Sequence, residues 1–267
     1  MRRLKMGVAG PFSGSRQAYG QMMRTAMQAL GELPGLDLQL FDDRADPAIA
    51  CDAAQAAVRA GCRVVAGHFN SDCALAATPI YRASDCVLLL PAATAVGLAD
   101  GRHVFRLCAD EARQATAIAS LLRAESGGLA STVWTDGSPY ALRLLRLLEA
   151  DLGHTLPPAP RHDSPHRGAG LVVVYLGSHV AVMARMRAEG SDWRGAAVCC
   201  DDCAIDEFAQ SARAGTRVCA PHLAYGQLLQ QAIVAAHRVC VLGDLQWTNL
   251  FDERGESPVS DCRVLTH

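Results

Sequence analysis

The sequence predicts an α/β protein of two lobes, each a parallel sheet flanked by helices, on three observations. Strand and helix signals alternate from the first residues, the strands are continuous apolar runs without polar alternation, and the alternation restarts after Asp110. Continuous apolar strands belong to parallel sheets whose two faces are both covered by helices. The chain is 267 residues long, enough for one large domain or two small ones.

The elements follow in order. Leu4–Ala9 reads as a strand, Gly10-Pro11-Phe12-Ser13-Gly14 as a loop, and Gln17–Leu30 as a helix with Met22, Met23, Ala26 and Leu30 on one face. A strand over Leu36–Phe41 ends in Asp42-Asp43. Asp46 and Pro47 form an N-cap and first helical position for an Ala-rich helix to about Ala60. Strands over Cys62–Ala66, Val87–Leu90 and Arg102–Leu107 follow, with a helix capped by Ser71 between the first two. After Asp110 come a helix (Glu111–Arg123), a strand (Ser131–Trp134) and a helix (Tyr140–Leu152). Gly153–Gly170, rich in proline and histidine, reads as a loop with room for one short strand. Strands at Leu171–Leu176, Ala196–Cys200 and Arg217–Cys219 alternate with helices at Val180–Arg187 and Ile205–Ala212. A long apolar helix at Tyr225–Val241 and an extended Cys262–Leu265 complete the chain.

Composition excludes several function classes. Twenty-five basic residues against 27 acidic ones, with aromatics at 5%, lack the basic face and stacking rings of a nucleic-acid binder. Apolar runs fall short of the roughly 18 residues a membrane span requires. Eleven cysteines without framework spacing, several inside apolar runs, read as buried free thiols. With no secretory segment ahead of the first strand, they point to a cytoplasmic protein; a trimmed, exported chain in the periplasm is the alternative.

Chemical motifs are sparse. There is no Gly-x-Gly-x-x-Gly, phosphate loop or nucleophile elbow, so no cofactor and no enzymatic activity are expected. The Cys199-Cys200-Asp201-Asp202-Cys203 run has no second ligand pair, since His179 and His222 stand alone, and His154, His162 and His166 lie in a polar loop; no metal site is expected. The strand ends carry more information, because ligands of open parallel sheets bind outside the carboxyl ends of the strands. Gly67-His68-Phe69-Asn70-Ser71-Asp72 offers a hydroxyl and helix N–H groups to a carboxylate, and Pro91-Ala92-Ala93-Thr94 offers backbone groups and a hydroxyl. Ordinary helix capping explains the same residues equally well.

At these residues the chain resembles a known family. Val8–Gly14, Ala18-Tyr19-Gly20, Asp42-Asp43, Asp46-Pro47, Val65–His68, Ser71, Ile80-Tyr81, Pro91–Thr94 and Val104–Arg106 resemble the leucine/isoleucine/valine-binding proteins. These are type I periplasmic binding proteins of amino-acid ABC transporters. Looser echoes are Ser138–Tyr140, Tyr175–Ser178 and Phe251–Gly255. The resemblance implies lobes of 1–109 plus 223–248 and of 110–222 plus 249–267, closing on a small amino acid or amide. It implies that Ser71 holds the ligand carboxylate, that Ala92 and Thr94 hold carboxylate and ammonium, and that Tyr19 and Tyr140 are aromatic walls. Asp201, with Asp202 as the alternative, falls where the family carries an acid for the ammonium. Ser178 and His179 fall at a second-lobe position that is often aromatic.

Against that family the second lobe is abbreviated between Leu156 and Leu171, between Ala220 and Tyr225, and from Val241 to Asn249. A stripped lobe is expected to bare a sheet face for a second copy or a protein partner. The resemblance therefore implies a non-enzymatic binder of a small amino acid or amide, read as a cytoplasmic sensor or regulator acting through a partner. A transporter receptor and a degenerate accessory protein of a pathway complex are the alternatives.

Overall fold

The computed structural model describes residues 3–125, 129–163 and 168–267. They divide into two compact units, residues 1–110 with 223–260 and residues 111–222 with 261–267.

The first unit begins with β1 (Leu4–Gly10), α1 (Gln17–Leu30), β2 (Leu36–Asp42), α2 (Pro47–Arg59), β3 (Val64–Ala66), α3 (Ser71–Ala83), β4 (Val87–Leu90) and β5 (Val104–Arg106). Its five strands lie in the order β2-β1-β3-β4-β5, all parallel. β3 and the last three residues of β4 are buried throughout, as strands covered on both faces must be. α2 and α3 present alanines to the same core, Ala54 and Ala57 from one and Ala74 and Ala77 from the other. The Asp46 carboxylate accepts the Ala48 and Ile49 N–H groups, so α2 starts at the expected cap.

Two expectations shift by a residue or a face. The cap of α3 is Asn70, whose side-chain oxygen accepts the Asp72 and Cys73 N–H groups, and Ser71 is the first helical residue. The buried face of α1 is Tyr19, Gly20, Met23 and Ala26, with Met22 and Leu30 only half-buried. Gly20 is required there: a Cβ would lie 2.5 Å from the Pro11 carbonyl oxygen, so glycine lets the loop after β1 close on the helix. That loop is held from the other side by Asp42, which accepts the Phe12 and Ser13 N–H groups at 2.9 and 3.2 Å and the Ser13 hydroxyl at 2.5 Å.

The second unit contains α4 (Glu111–Glu125), β6 (Ala130–Thr135), α5 (Pro139–Leu152), β7 (Leu171–Leu176), α6 (His179–Glu189), β8 (Ala196–Cys199), α7 (Asp206–Ala209) and β9 (Arg217–Pro221). The chain then returns to the first unit with α8 (Tyr225–His237) and ends in the second with β10 (Cys262–Thr266). The helix expected to reach Val241 gives way to a wider π turn over Arg238–Leu242, and the one expected over Ile205–Ala212 is a single turn. The second sheet has the order β10-β9-β8-β7-β6, parallel except for the antiparallel edge strand β10.

Among the described residues the expected bare sheet face is not found. Val172, Val174 and Leu176 of β7 pack into the core formed with α4 and α5, and the alternate residues Val173 and Tyr175 are equally buried. Residues 156–159 partly fill the abbreviated stretch. Val133 donates to the Pro157 carbonyl (2.9 Å) and accepts from Ala159 N–H (2.7 Å), and the nearby Leu156 joins the core. The large apolar side chains this unit exposes, Leu129, Leu142 and Val264, sit before β6, on α5 and on β10, so they are dispersed over three elements.

Residues 249–260 belong to the first unit, contrary to the expected division. An ion pair, backbone hydrogen bonds and stacked rings hold them there. Arg106 is 1% exposed; its Nε and Nη2 donate to the two carboxylate oxygens of Glu256 at 2.9 and 2.5 Å, and its Nη1 donates to the Ala95 carbonyl at 2.7 Å. The backbone joins in, with Arg106 N–H on Gly255 O and Ser257 N–H on Arg106 O. Phe251 and Trp247 pack on Phe105 with ring centroids 5.0 and 5.5 Å away. Among the described residues no helix is long and apolar enough to cross a membrane.

Two predictions follow from these contacts. Glu256→Ala leaves Arg106 buried without its anion, a change that costs about 3–5 kcal/mol in comparable pairs; urea unfolding should show a loss near the lower figure, because Glu256 is 19% exposed. The Asp42 carboxyl is held below its ordinary value: burial would raise it, but the Ser13 hydroxyl and the Arg44, Ser13 and Phe12 N–H groups outweigh burial. A lowered folded-state pKa stabilises above the unfolded value and is lost as pH falls through the folded one. Asp42→Asn should therefore lower the melting temperature at neutral pH. Its deficit relative to the wild type should close as pH drops below about 3.9, the ordinary aspartate value.

Candidate functional site

In the first unit the carboxyl ends of the adjacent strands β3 and β4 bring Ser71 and Thr94 together. The loop after β3 passes close over the end of β1, where a Cβ on Gly67 would lie 2.0 Å from the Ala9 carbonyl oxygen. His68 locks that loop from within: it is fully buried, with Nδ1 2.7 Å from Asp43 and Nε2 3.1 Å from the Tyr81 hydroxyl.

The Ser71 hydroxyl oxygen accepts the Thr94 N–H at 3.0 Å and the Ala95 N–H at 3.2 Å. A hydroxyl has two acceptor sites and one donor, so both lone pairs are spent and only the proton remains. The α3 N–H groups are also mostly committed, Asp72 and Cys73 to Asn70 Oδ1 and Ala74 to the Asn70 carbonyl. Among the described residues this leaves the Ser71 proton and its N–H as donors at the head of α3. The array of free helix N–H groups expected here is therefore smaller, because Asn70 rather than Ser71 is the cap. Thr94 Oγ1 lies 3.5 Å from Ser71 Oγ, and both residues and Ala92 are buried. The Arg106 bond to Ala95 fixes the carbonyl next to these N–H groups.

Tyr19 is 2% exposed and packs against Phe69, three residues into the β3–α3 loop, and against Tyr225 of α8, with centroids 6.2 and 5.9 Å away. The resemblance named only Tyr19 from this trio. Phe69 and Tyr225 are aromatic neighbours of it that periodicity along a single element cannot reveal.

In the second unit the carboxyl ends of β6 and β8 bring Tyr140 and Asp201 together. The Tyr140 hydroxyl donates to Asp201 Oδ1 at 2.5 Å and stands 3.2 Å from Gln114 Oε1. Burial, and then the neighbouring Asp201, push the Tyr140 phenol well above its ordinary value, so it is a permanent donor. Asp201 is 5% exposed. Asp202 serves another purpose: its Oδ2 accepts the His179 backbone N–H at 2.7 Å and lies 3.2 Å from His179 Nδ1. His179 is fully buried, with Nε2 3.1 Å from Glu207, so its ring supports the loop from inside and is not a ligand-facing wall. Ser178 caps α6 through the Ala181 N–H. Gln114, also buried, is the member of this cluster that no sequence motif marked.

His154 and His162 are exposed, and His166 lies outside the described residues. Among the described residues no three His, Cys, Asp or Glu side chains gather as a metal-binding group.

The family model described as periplasmic binding protein matches residues 3–152, a span that includes Tyr19, Ser71, Ala92, Thr94 and Tyr140. A leucine-, isoleucine-, valine-, threonine- and alanine-binding protein of Pseudomonas aeruginosa is 34% identical over 101 residues, which are 34% of this chain and 27% of that relative's length. Among solved structures, a leucine-binding protein of Thermotoga maritima shares the fold with a TM-score of 0.72 at 19% identity, covering 88% of this chain and 83% of that one. A substrate-binding protein of an ABC transporter from Desulfitobacterium hafniense, in complex with leucine, gives a TM-score of 0.76 at 19% identity over 99% and 97% of the two chains. With more than half of its residues matched by the family model and the fold shared throughout, this chain belongs to the type I periplasmic binding protein family.

Proposed function

We propose that the protein binds a small aliphatic α-amino acid, or an amide of similar size, without transforming it. The observation that carries this reading is the Ser71 hydroxyl, whose lone pairs are both occupied by Thr94 and Ala95 N–H groups. It can act on a ligand only as a donor, which suits a carboxylate or an amide carbonyl. In the second unit, taken by itself, the buried Asp201 already oriented by Tyr140 is a carboxylate that suits an ammonium group. The name of the Pseudomonas aeruginosa relative supports aliphatic side chains.

For its cellular role, we read the protein as a cytoplasmic sensor that acts through a protein partner. All eleven cysteines are free thiols, eight of them buried, a state that a reducing compartment maintains. A transporter receptor is the second reading, supported by the shared fold with ABC-transporter binding proteins. Fractionation of cells expressing the full gene separates the two: recovery in the cytosol supports the sensor, and recovery in the periplasm overturns it in favour of the receptor.

Calorimetry with leucine, isoleucine, valine, threonine, alanine and acetamide tests binding itself. At least one should bind, and Ser71→Ala should weaken it roughly 10- to 150-fold, the equivalent of about 1.5–3 kcal/mol for a hydrogen bond to a charged group. Asp201→Asn should weaken amino acids far more than acetamide, which carries no ammonium. If none of the six gives heat or raises the melting temperature, the binding proposal fails and an accessory role in a complex takes its place.

A further inference from the structure

At the amino-terminal edge of β8 and β9 the second unit contains a cavity of about 560 Å³, within the roughly 300–1,000 Å³ range of small-molecule sites. It lies at the opposite end of β8 from Asp201. That strand is 4 residues long, or roughly 13 Å at 3.3 Å per residue, so the cavity is separate from the site described above.

Two features of its wall bear on charge and a third on hydrogen bonding. Arg194 and Arg213 line it and no Asp or Glu does, while the His267 carboxyl reaches its edge and accepts the Gly215 N–H at 2.5 Å. Behind the wall, Glu189 is fully buried and is shared by two guanidinium groups, with Arg185 Nε and Arg213 Nη1 both at 2.8 Å. One carboxylate between two arginines leaves a net positive charge, Arg194, exposed at the rim, adds a second, and the His267 carboxyl offsets one of the two. The third feature is a pair of orphans. Trp193 Nε1 and Thr216 Oγ1 belong to lining residues that are 6% and 1% exposed, and neither atom has a hydrogen-bond partner. An indole N–H can only donate, and buried polar groups without partners are rare and signal a missing water or ligand. Asp192, the acid next to Trp193 in the chain, does not line the cavity.

We propose that this cavity is a second ligand site, for a small molecule carrying an oxyanion, a phosphate or a carboxylate group. The arginines supply the charge, and the indole N–H and hydroxyl of lining residues, both closed to solvent, are polar atoms still without partners. The site is independent of the amino-acid reading and stands whether or not leucine binds.

The chain has three tryptophans, so its indole N–H resonances can be resolved one by one, with Trp193→Phe identifying the one of interest. Inorganic phosphate and acetate are titrated separately at constant ionic strength held with chloride. The proposal expects the Trp193 resonance to move saturably with at least one of them while those of Trp134 and Trp247 stay in place. The arm that saturates at lower concentration names the group. Arg194→Ala, an exposed change that preserves the fold, and Thr216→Val should each weaken that response about tenfold or more, as loss of a charge-assisted or buried hydrogen bond does. No saturable movement with either anion overturns the proposal, and so does a response that both variants leave unchanged.

Discussion

The first unit is organised around one oxygen atom. Ser71 Oγ receives the N–H groups of Thr94 and Ala95, and this pair of bonds ties the start of α3 to the turn after β4. Its neighbours keep it there. Arg106 holds the Ala95 carbonyl while Glu256 holds Arg106, and the buried Asp43–His68–Tyr81 chain fixes the loop that delivers Ser71. A buried guanidinium is tolerable because its charge is met by Glu256 and each of its three nitrogens donates a hydrogen bond, which stiffens the turn before any ligand arrives. Rigid donors cost little entropy on binding, which suits the role proposed for Ser71.

The second unit solves a different problem with the same devices. Its acids are adjacent in sequence and divided in role: Asp201 takes the Tyr140 hydroxyl, and Asp202 turns inward to His179. Glu189, with two arginines and the Tyr175 hydroxyl, anchors α6 to the segment before β9. Leu156, Pro157 and Ala159 pack or bond onto the edge of the abbreviated region, and among the described residues the sheet is not bared.

Much of this was legible from the residues alone. Continuous apolar strands identified the parallel sheets, and Asp46-Pro47 marked the start of α2 where it occurs. Neighbouring residues of the same chemical type were the harder part. Asn70 and Ser71 are both good caps and the cap is Asn70, while Asp201 and Asp202, named as alternatives, take different partners; a one-residue difference in backbone direction decides which does what. The tail was misassigned for another reason. Glu256 finds Arg106 across 150 residues of chain, and nothing local to either announces the other. Phe69, Tyr225 and Gln114 escaped notice for the same cause, since their significance comes from neighbours supplied by other elements.

The central claim is that Ser71, with its lone pairs occupied, acts as a donor to a ligand carboxylate. The most direct test compares the affinity for leucine with that for leucinamide, in the wild type and in Ser71→Ala. The account predicts that the wild type prefers leucine and that the preference shrinks about tenfold or more in the variant, as loss of a charge-assisted hydrogen bond requires. An equal preference in both proteins would show that Ser71 does not read the carboxylate, and the site would have to be placed elsewhere.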